Sequence, residues 1–148
     1  NQVKFDFNAL PLDKAIKEVR GKGERKLAVF SDPDCPFCKR LEQDTLAKLD
    51  NVTIYTFLYP LAQLPPDAPR KSEQIWCSKD RTATWTGVMR NGLKLPAGKA
   101  NCATPLVELA ALGEKLGVGG TPALFLGNGK MISGAVPVET IEAAFRAK

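Results

Sequence analysis

Two cysteines separated by two residues, Cys35-Pro36-Phe37-Cys38, carry the strongest chemical signal in the chain. They follow a run that reads as a buried strand, Lys26–Ser31, and they open a run that reads as a helix from about Pro36 to Lys48. A thiol at the N-terminus of a helix sees unpaired backbone N–H groups and the positive end of the helix dipole, and both stabilise a thiolate. Cys35 stands at that end. Cys38 lies one turn inside and is expected to be more shielded. Lys39 and Arg40 add positive charge. The spacing therefore predicts Cys35 as an attacking thiolate and Cys38 as its resolving partner, the two closing a small strained ring whose disulfide exchanges readily. The chain contains no histidine, which excludes Ser-His-Asp and Cys-His hydrolysis and His-ligated metal within it.

Two other readings of the motif stand beside this one. The pair could be half of a zinc site completed by Cys77 and Cys102. Those two form no second C-x-x-C knuckle, however, and the first pair sits on a strand-to-helix junction. It could also be a purely structural disulfide. Cys77, beside Ile75 and Trp76, and Cys102, after a loop, read instead as a structural staple. Bridging them closes a loop of about 26 residues, worth about 3.5 kcal/mol in the chain-entropy account. A stable disulfide of that kind points to an oxidising compartment.

Thr121-Pro122 is the second telling element. A proline that begins a strand after Gly119-Gly120 is ordinary by itself. Downstream of a C-x-x-C helix it predicts a cis bond that turns backbone polar groups toward the cysteines. An extended substrate could lie against that edge and pair through its main chain. Trp76, Trp85 and Met89 recur at helical spacing and read as core. Glu24 and Lys26 flank the strand before the motif; an acid buried there could accept a proton, but both read as solvent-exposed ends.

The elements that must position these residues follow from periodicity. Val3–Phe7 alternates like a short strand, and Leu12–Arg20 places Leu12, Ile16 and Val19 on one helical face ended by Gly21-Lys22-Gly23. Phe37, Leu41 and Leu46 form the inner face of the motif helix. Val52–Leu58 is a β-branched and aromatic strand. Tyr59–Pro69, with four prolines, reads as a loop. Arg70–Arg90 is helical, in one or two pieces, and Pro105–Leu116 is helical again. Ala123–Leu126 and Lys130–Ser133 flank a Gly127-Asn128-Gly129 turn. Val138–Ala147 closes the chain as an amphipathic helix with Ile141, Ala144 and Phe145 inward. The order β-α-β, a helical insertion over about 70–116, then β-β-α predicts an α/β protein with a central mixed sheet flanked by helices. At 148 residues the chain is one domain, and 44% hydrophobic with 25% charged residues excludes a disordered or fibrous chain. The +5 net charge is scattered, without a groove motif, so no nucleic-acid partner is expected.

The same residues carry a resemblance. A strand, a C-P-F-C helix start, then T-P before a hairpin and a terminal helix look like the thioredoxin fold. Phe30–Lys39 (FSDPDCPFCK) resembles the active-site segment of the DsbC/DsbG family of bacterial periplasmic disulfide isomerases. Ile75–Asp80 (IWCSKD) resembles the segment that carries the first cysteine of that family's structural disulfide, and Leu116–Ala123 (LGVGGTPA) is similar to its cis-proline loop. The resemblance covers roughly Asp13 to Lys148. It implies a thioredoxin-like catalytic domain with Cys35 as nucleophile, Cys38 as its partner, and Thr121, Pro122, Pro36 and Phe37 facing substrate. Cys77–Cys102 would be the structural bridge, and no cofactor or metal is needed. It implies periplasmic localisation, misfolded or wrongly disulfide-bonded secreted proteins as substrates, and a membrane electron donor of the DsbD type. Family isomerases carry an N-terminal dimerisation domain, expected to be absent from residues 1–148. The full-length protein is expected to be a homodimer, whereas this chain can stand as a monomer. A monomer would favour oxidising dithiols over isomerising disulfides, and a peptide-binding chaperone without turnover is a reading of another class.

Overall fold

The apolar runs Arg25–Ser31 (β2) and Val52–Leu58 (β3) form the centre of the sheet, paired in parallel with Leu27 opposite Ile54 and Phe30 opposite Phe57. Both are buried on both faces, which suits their β-branched and aromatic content. The computed structural model describes residues 5–61 and 67–147. Among these residues five strands make one sheet in the order β1-β3-β2-β4-β5, where β1 is Ile16–Arg20, β4 Ala123–Leu126 and β5 Met131–Ser133. β1 runs antiparallel to β3, β4 antiparallel to β2, and β5 antiparallel to β4. The Gly127-Asn128-Gly129 turn closes the last hairpin, with Gly129 at φ +89°, a conformation glycine adopts without strain.

Among the described residues five helices flank the sheet: α1 (Pro36–Asp44), α2 (Ala68–Trp76), α3 (Arg81–Asn91), α4 (Leu106–Lys115) and α5 (Val138–Arg146). Alternation along the strands splits the core in two. Ala28, Phe30, Phe57 and Phe125 face Ile75, Trp76, Trp85, Met89 and Leu109 of the insertion helices. Leu27, Val29, Ile54, Leu124 and Leu126 face Leu41, Leu46, Leu49 and Ile141. Cys38 joins the first cluster and Leu41 the second, so α1 borders both. No helix among the described residues is long and apolar enough to cross a membrane.

The expected mixed sheet, flanking helices and helical insertion are all present, and Trp76, Trp85 and Met89 are core residues. Glu24 and Lys26 are exposed. Residues 5–20 differ from expectation. Of the strand expected over Val3–Phe7, the described part, Phe5–Phe7, is not a strand: Phe7–Ala9 is a 3-10 turn whose start is capped by the Asp6 carboxylate, which accepts the Asn8 N–H at 3.0 Å. Val3 and Lys4 lie outside the described residues. Phe5 and Phe7 instead pack as an aromatic cluster with Phe125 and Tyr55.

The helix read over Leu12–Arg20 is a 3-10 turn, Leu12–Lys14, followed by β1. The i, i+4, i+7 spacing of Leu12, Ile16 and Val19 mimics a helix, yet Val19 is 56% exposed. Ile16, Glu18 and Arg20 share the buried side of a two-residue period, and pairing with β3 overrides the local pattern. The element order is thus β-β-α-β rather than β-α-β before the insertion. The motif helix also stops early, at Asp44, where Thr45 turns its hydroxyl to the Val136 carbonyl at 2.7 Å and Leu46–Lys48 form a separate 3-10 turn. α2 begins at Ala68, so Pro69, read as loop, occupies its first turn, where a missing N–H costs nothing. Residues 62–66 of the expected loop lie outside the described residues.

Candidate redox site

β2 delivers its last residue, Ser31, to a tight turn that aims Cys35 away from the sheet. The turn is held by Asp32, 3% exposed, whose carboxylate accepts the N–H of Asp34 at 2.9 Å and that of Leu61 at 3.1 Å. The Asp32 carbonyl accepts the Cys35 N–H at 3.1 Å. Asp34 is tied to α2 by Lys71 Nζ at 2.6 Å. Neither acid was singled out from sequence. Two carboxylates bracketing a proline just before a cysteine are the signal that could have found them.

Cys35 is the N-cap residue of α1, with Pro36 in the first helical position. Its sulfur accepts the Cys38 N–H at 3.3 Å, one of the donors that a helix start leaves unpaired. The S–H points at the Thr121 carbonyl, 3.6 Å away. Thr121-Pro122 is a cis peptide bond. The structure thus brings Cys35, Cys38 and Thr121 together from two parts of the chain 86 residues apart.

The two free thiols differ in environment. Cys35 is partly exposed, while Cys38 is 0% exposed. Burial pushes the Cys38 thiol up to about 12, so it stays protonated at neutral pH. Cys35, Thr121, Asp34, Phe37, Leu61 and Gly120 line a cleft of about 510 Å³. Pro36 is exposed on the same surface. Periodicity placed Phe37 on the inner face of the helix, whereas the resemblance placed it toward substrate; it is 55% exposed beside the cleft, with the Arg40 guanidinium 5.5 Å from its ring centroid. The inner face is made instead by Cys38, Leu41 and Glu42.

Glu42 is the unexpected member of that face. It is 1% exposed and accepts from Arg90 Nε at 3.0 Å and from the Trp85 indole at 3.3 Å. Arg90 also grips Glu18 of β1 with both terminal nitrogens, at 2.8 and 2.7 Å. Burial raises the Glu42 carboxyl despite Arg90. Burial also opposes ionisation of Glu18, but Arg90 and Arg20 outweigh it and hold that carboxyl below its usual range. One guanidinium therefore fastens α1, α3 and β1 together beneath the cysteines. Gln43 adds a bond from its side-chain amide to the Met89 carbonyl at 3.0 Å.

Cys77, at the end of α2, and Cys102 are joined by a disulfide with their Cα atoms 5.8 Å apart. A four-thiolate zinc set would need both as thiolates; here each is the other's partner.

A family model described as a thioredoxin-like domain matches residues 12–148. The chain is 46% identical over 137 residues to a probable thiol:disulfide interchange protein DsbC of Bordetella parapertussis, covering 93% of this chain and 47% of that protein. It is 34% identical over 112 residues to the thiol:disulfide interchange protein DsbC of Escherichia coli, covering 75% of this chain and 46% of that protein. The chain thus spans about half the length of the curated relatives it matches. The crystal structure of a disulfide interchange protein from Neisseria gonorrhoeae superposes with a TM-score of 0.84 at 51% identity, over 93% of this chain and 96% of that one.

Proposed function

The chain belongs to the thioredoxin-like domain family and is a relative of the disulfide interchange proteins, and from that premise we propose that it is the catalytic domain of a thiol–disulfide oxidoreductase that isomerises or reduces wrong disulfides in secreted proteins. The observation that carries this reading is the asymmetry of the two thiols. Cys35 is open to a cleft and sits on a helix N-terminus, whereas Cys38 is sealed beneath it.

The Cys35 thiolate attacks one sulfur of a substrate disulfide. A Cys35–substrate mixed disulfide forms, and the other substrate sulfur leaves as a thiolate. In isomerisation a different substrate thiolate attacks the substrate sulfur of the mixed disulfide; the new substrate disulfide forms as the bond to Cys35 breaks, and Cys35 returns as thiolate with no net oxidation. In reduction Cys38 loses its proton and attacks the Cys35 sulfur. The substrate leaves with two thiols, and the Cys35–Cys38 disulfide holds the two-electron oxidation. The buried Cys38 thiol, pushed up to about 12, makes the second route slow to start. That favours a mixed disulfide long enough lived for isomerisation. Phe37, Pro36 and Thr121 form the surface against which the substrate segment lies; Pro122, expected to face substrate, is buried behind Thr121 and acts through the cis bond that turns the Thr121 carbonyl to Cys35.

Residues 1–148 serve as a single catalytic domain, with the helical insertion from about 70 to 116. In the full-length protein an N-terminal domain dimerises it, and a membrane donor of the DsbD type returns the Cys35–Cys38 disulfide to the dithiol. A stapled Cys77–Cys102 beside a free dithiol suits the bacterial periplasm.

The test is recovery of activity from a scrambled disulfide protein. Cys35→Ser is expected to abolish it. Cys38→Ser is expected to accumulate a mixed disulfide visible by non-reducing electrophoresis. Full activity in Cys35→Ser would overturn the assignment. A glutathione redox titration separates the alternatives. A potential of roughly −120 to −180 mV fits an oxidase or isomerase, and roughly −270 mV fits a reductant.

A further inference from the structure

Among the described residues, the loop that faces Cys35 is flanked by open space on both sides. One cavity, about 240 Å³, separates the segment 116–123 from β5 around Met131 and Gly134. Another, about 480 Å³, lies between Gly117–Gly119 and the start of the segment after β3, at Tyr59, Pro60 and Leu61. Gly119 and Gly120 are exposed, and a Cβ added at either would touch nothing within 4 Å. The exposed glycines are anchored on either side: the Val118 side chain is buried in the core, and the Pro122 carbonyl accepts the Gly134 N–H at 2.9 Å. Two hydrogen bonds add to the anchor at Val118. The Val118 N–H donates to the Gly113 carbonyl at the end of α4 at 2.8 Å, and the Val118 carbonyl accepts the Tyr59 hydroxyl at 2.8 Å.

Tyr59 is itself rigidly held. Its N–H extends the β2–β3 ladder to the Ser31 carbonyl at 2.8 Å, and its ring stands edge-on to Phe30 with centroids 5.4 Å apart. On its other side the ring occupies the space over Gly113; a Cβ there would collide with Cε1 and Cζ and lie 2.7 Å from the hydroxyl. Ser31, which anchors Tyr59, is also the last residue before the turn that carries Cys35. One strand end thus braces the attacking thiol on one side and the loop opposite it on the other.

We propose that Tyr59 is a positioning residue whose hydroxyl pegs the Val118 carbonyl and so sets the width of the substrate slot, the cleft that Thr121 and Cys35 line together. This rests on the function proposed above. Burial, with Glu114 nearby, raises the Tyr59 phenol, so the donor keeps its proton throughout the working range. Without the peg, the Val118 carbonyl is left unpaired and the two glycines let the loop retreat into the neighbouring space.

The experiment compares wild type with Tyr59→Phe, which keeps the ring and its packing. Three readouts are taken: alkylation of Cys35 by iodoacetamide, KM and kcat for reduction of a disulfide-bonded peptide, and amide exchange at Gly119, Gly120 and Thr121. The expected result is unchanged alkylation, KM raised about three- to tenfold with kcat little altered, and faster exchange at those amides. Gly113→Ala, which pushes on the Tyr59 ring, is expected to raise KM in the same direction although alanine favours the helix. An active wild type with KM unchanged in Tyr59→Phe overturns the proposal. So does alkylation that slows in step with peptide turnover, because the defect then lies in the thiol and not in the slot. Wild type that fails to reduce the peptide overturns the functional reading instead. The peg then stands or falls on amide exchange, faster in Tyr59→Phe if it exists and unchanged if it does not.

Discussion

Cys35 and Cys38 stand three residues apart on one helix end and are unbonded, whereas Cys77 and Cys102 are separated by 25 residues and joined. The first pair is surrounded by elements that hold it in place. The Asp32 carboxylate clamps the turn, the helix start supplies a donor to Cys35, and the Arg90 guanidinium fastens α1 from below. The second pair supplies the constraint itself. It ties the end of α2 to the irregular segment before α4, where side-chain packing is thin and Asn101, Cys102 and Ala103 are exposed. Position along the chain, more than the chemistry of cysteine, separates the free pair from the bonded one. A sulfur becomes a reagent where the fold leaves it exposed to a cleft beside backbone donors. It becomes a strut where two loosely packed segments meet.

The comparison breaks most sharply if the two pairs are disabled in turn. Cys35→Ser is expected to remove all turnover while barely moving thermal stability. The double replacement Cys77→Ser/Cys102→Ser is expected to retain turnover per folded molecule but lose about 3.5 kcal/mol in a urea titration. Equal damage to activity from both would end the distinction between reagent and strut.

A second test asks whether the brace beneath α1 matters as much as the disulfide. Arg90→Met leaves Glu42, 1% exposed, without its cation. Loss of one partner of a buried pair costs about 3–5 kcal/mol. Glu42→Gln should cost much less, and its effect should depend on pH. The Glu42 carboxyl is raised from 4.5 in the folded state, so its protonated form stabilises the fold fully below about pH 4.5, and this contribution fades as pH rises through the raised value. Glutamine has no such dependence. Glu42→Gln should therefore gain on wild type as pH increases. Glu18 is lowered, so its contribution is present above about pH 4.5 and lost as pH falls through the lowered value; a parallel Glu18→Gln series should show the opposite slope. Matching slopes would remove the brace from the picture.

The smallest effect sharpens the contrast within the reactive pair. Iodoacetamide at neutral pH should add one carbamidomethyl group, at Cys35, to native protein whose Cys35–Cys38 pair is reduced and whose Cys77–Cys102 disulfide is intact. The buried Cys38 thiol is raised from 9.0 to about 12, so its second adduct should appear only as pH approaches about 12 or after unfolding. Its neutral form stabilises the fold fully below pH 9.0, and that contribution is lost as pH rises through about 12. Two adducts by mass spectrometry at neutral pH would show the seal over Cys38 to be leaky.

Much of this was legible in the residues, and the failures share a cause. β2, β3, the hairpin and the terminal helix were readable because each carries its own period or turn chemistry. β1 was not, because its pairing with β3 comes from far along the chain and its apolar residues happen to fit a helical spacing. Phe37 was placed inside because it is apolar, although the helix turns it toward the cleft. The two cysteines at the site were visible as a motif. The groups that steady them were not, since Glu18, Glu42 and Arg90 come from three elements and carry no local pattern. Tyr59 looked like the first residue of a proline-rich loop, and only the approach of Gly113 and Val118 gives it a role.

The order of the sheet has a consequence for how such a protein survives its own work. With the proposed function, the domain would meet many unpaired strands, and a long bare sheet margin would invite them to stack on it. Here one margin is β5, three residues long. The other is β1, where the Lys17 carbonyl is taken by the Thr82 hydroxyl at 2.6 Å and the strand ends in Arg20, whose guanidinium is turned onto the Ala47 and Leu49 carbonyls at 2.7 Å each. Among the described residues both rims are short, and on β1 the Lys17 carbonyl is already taken, which limits the ladder that another extended chain could add to.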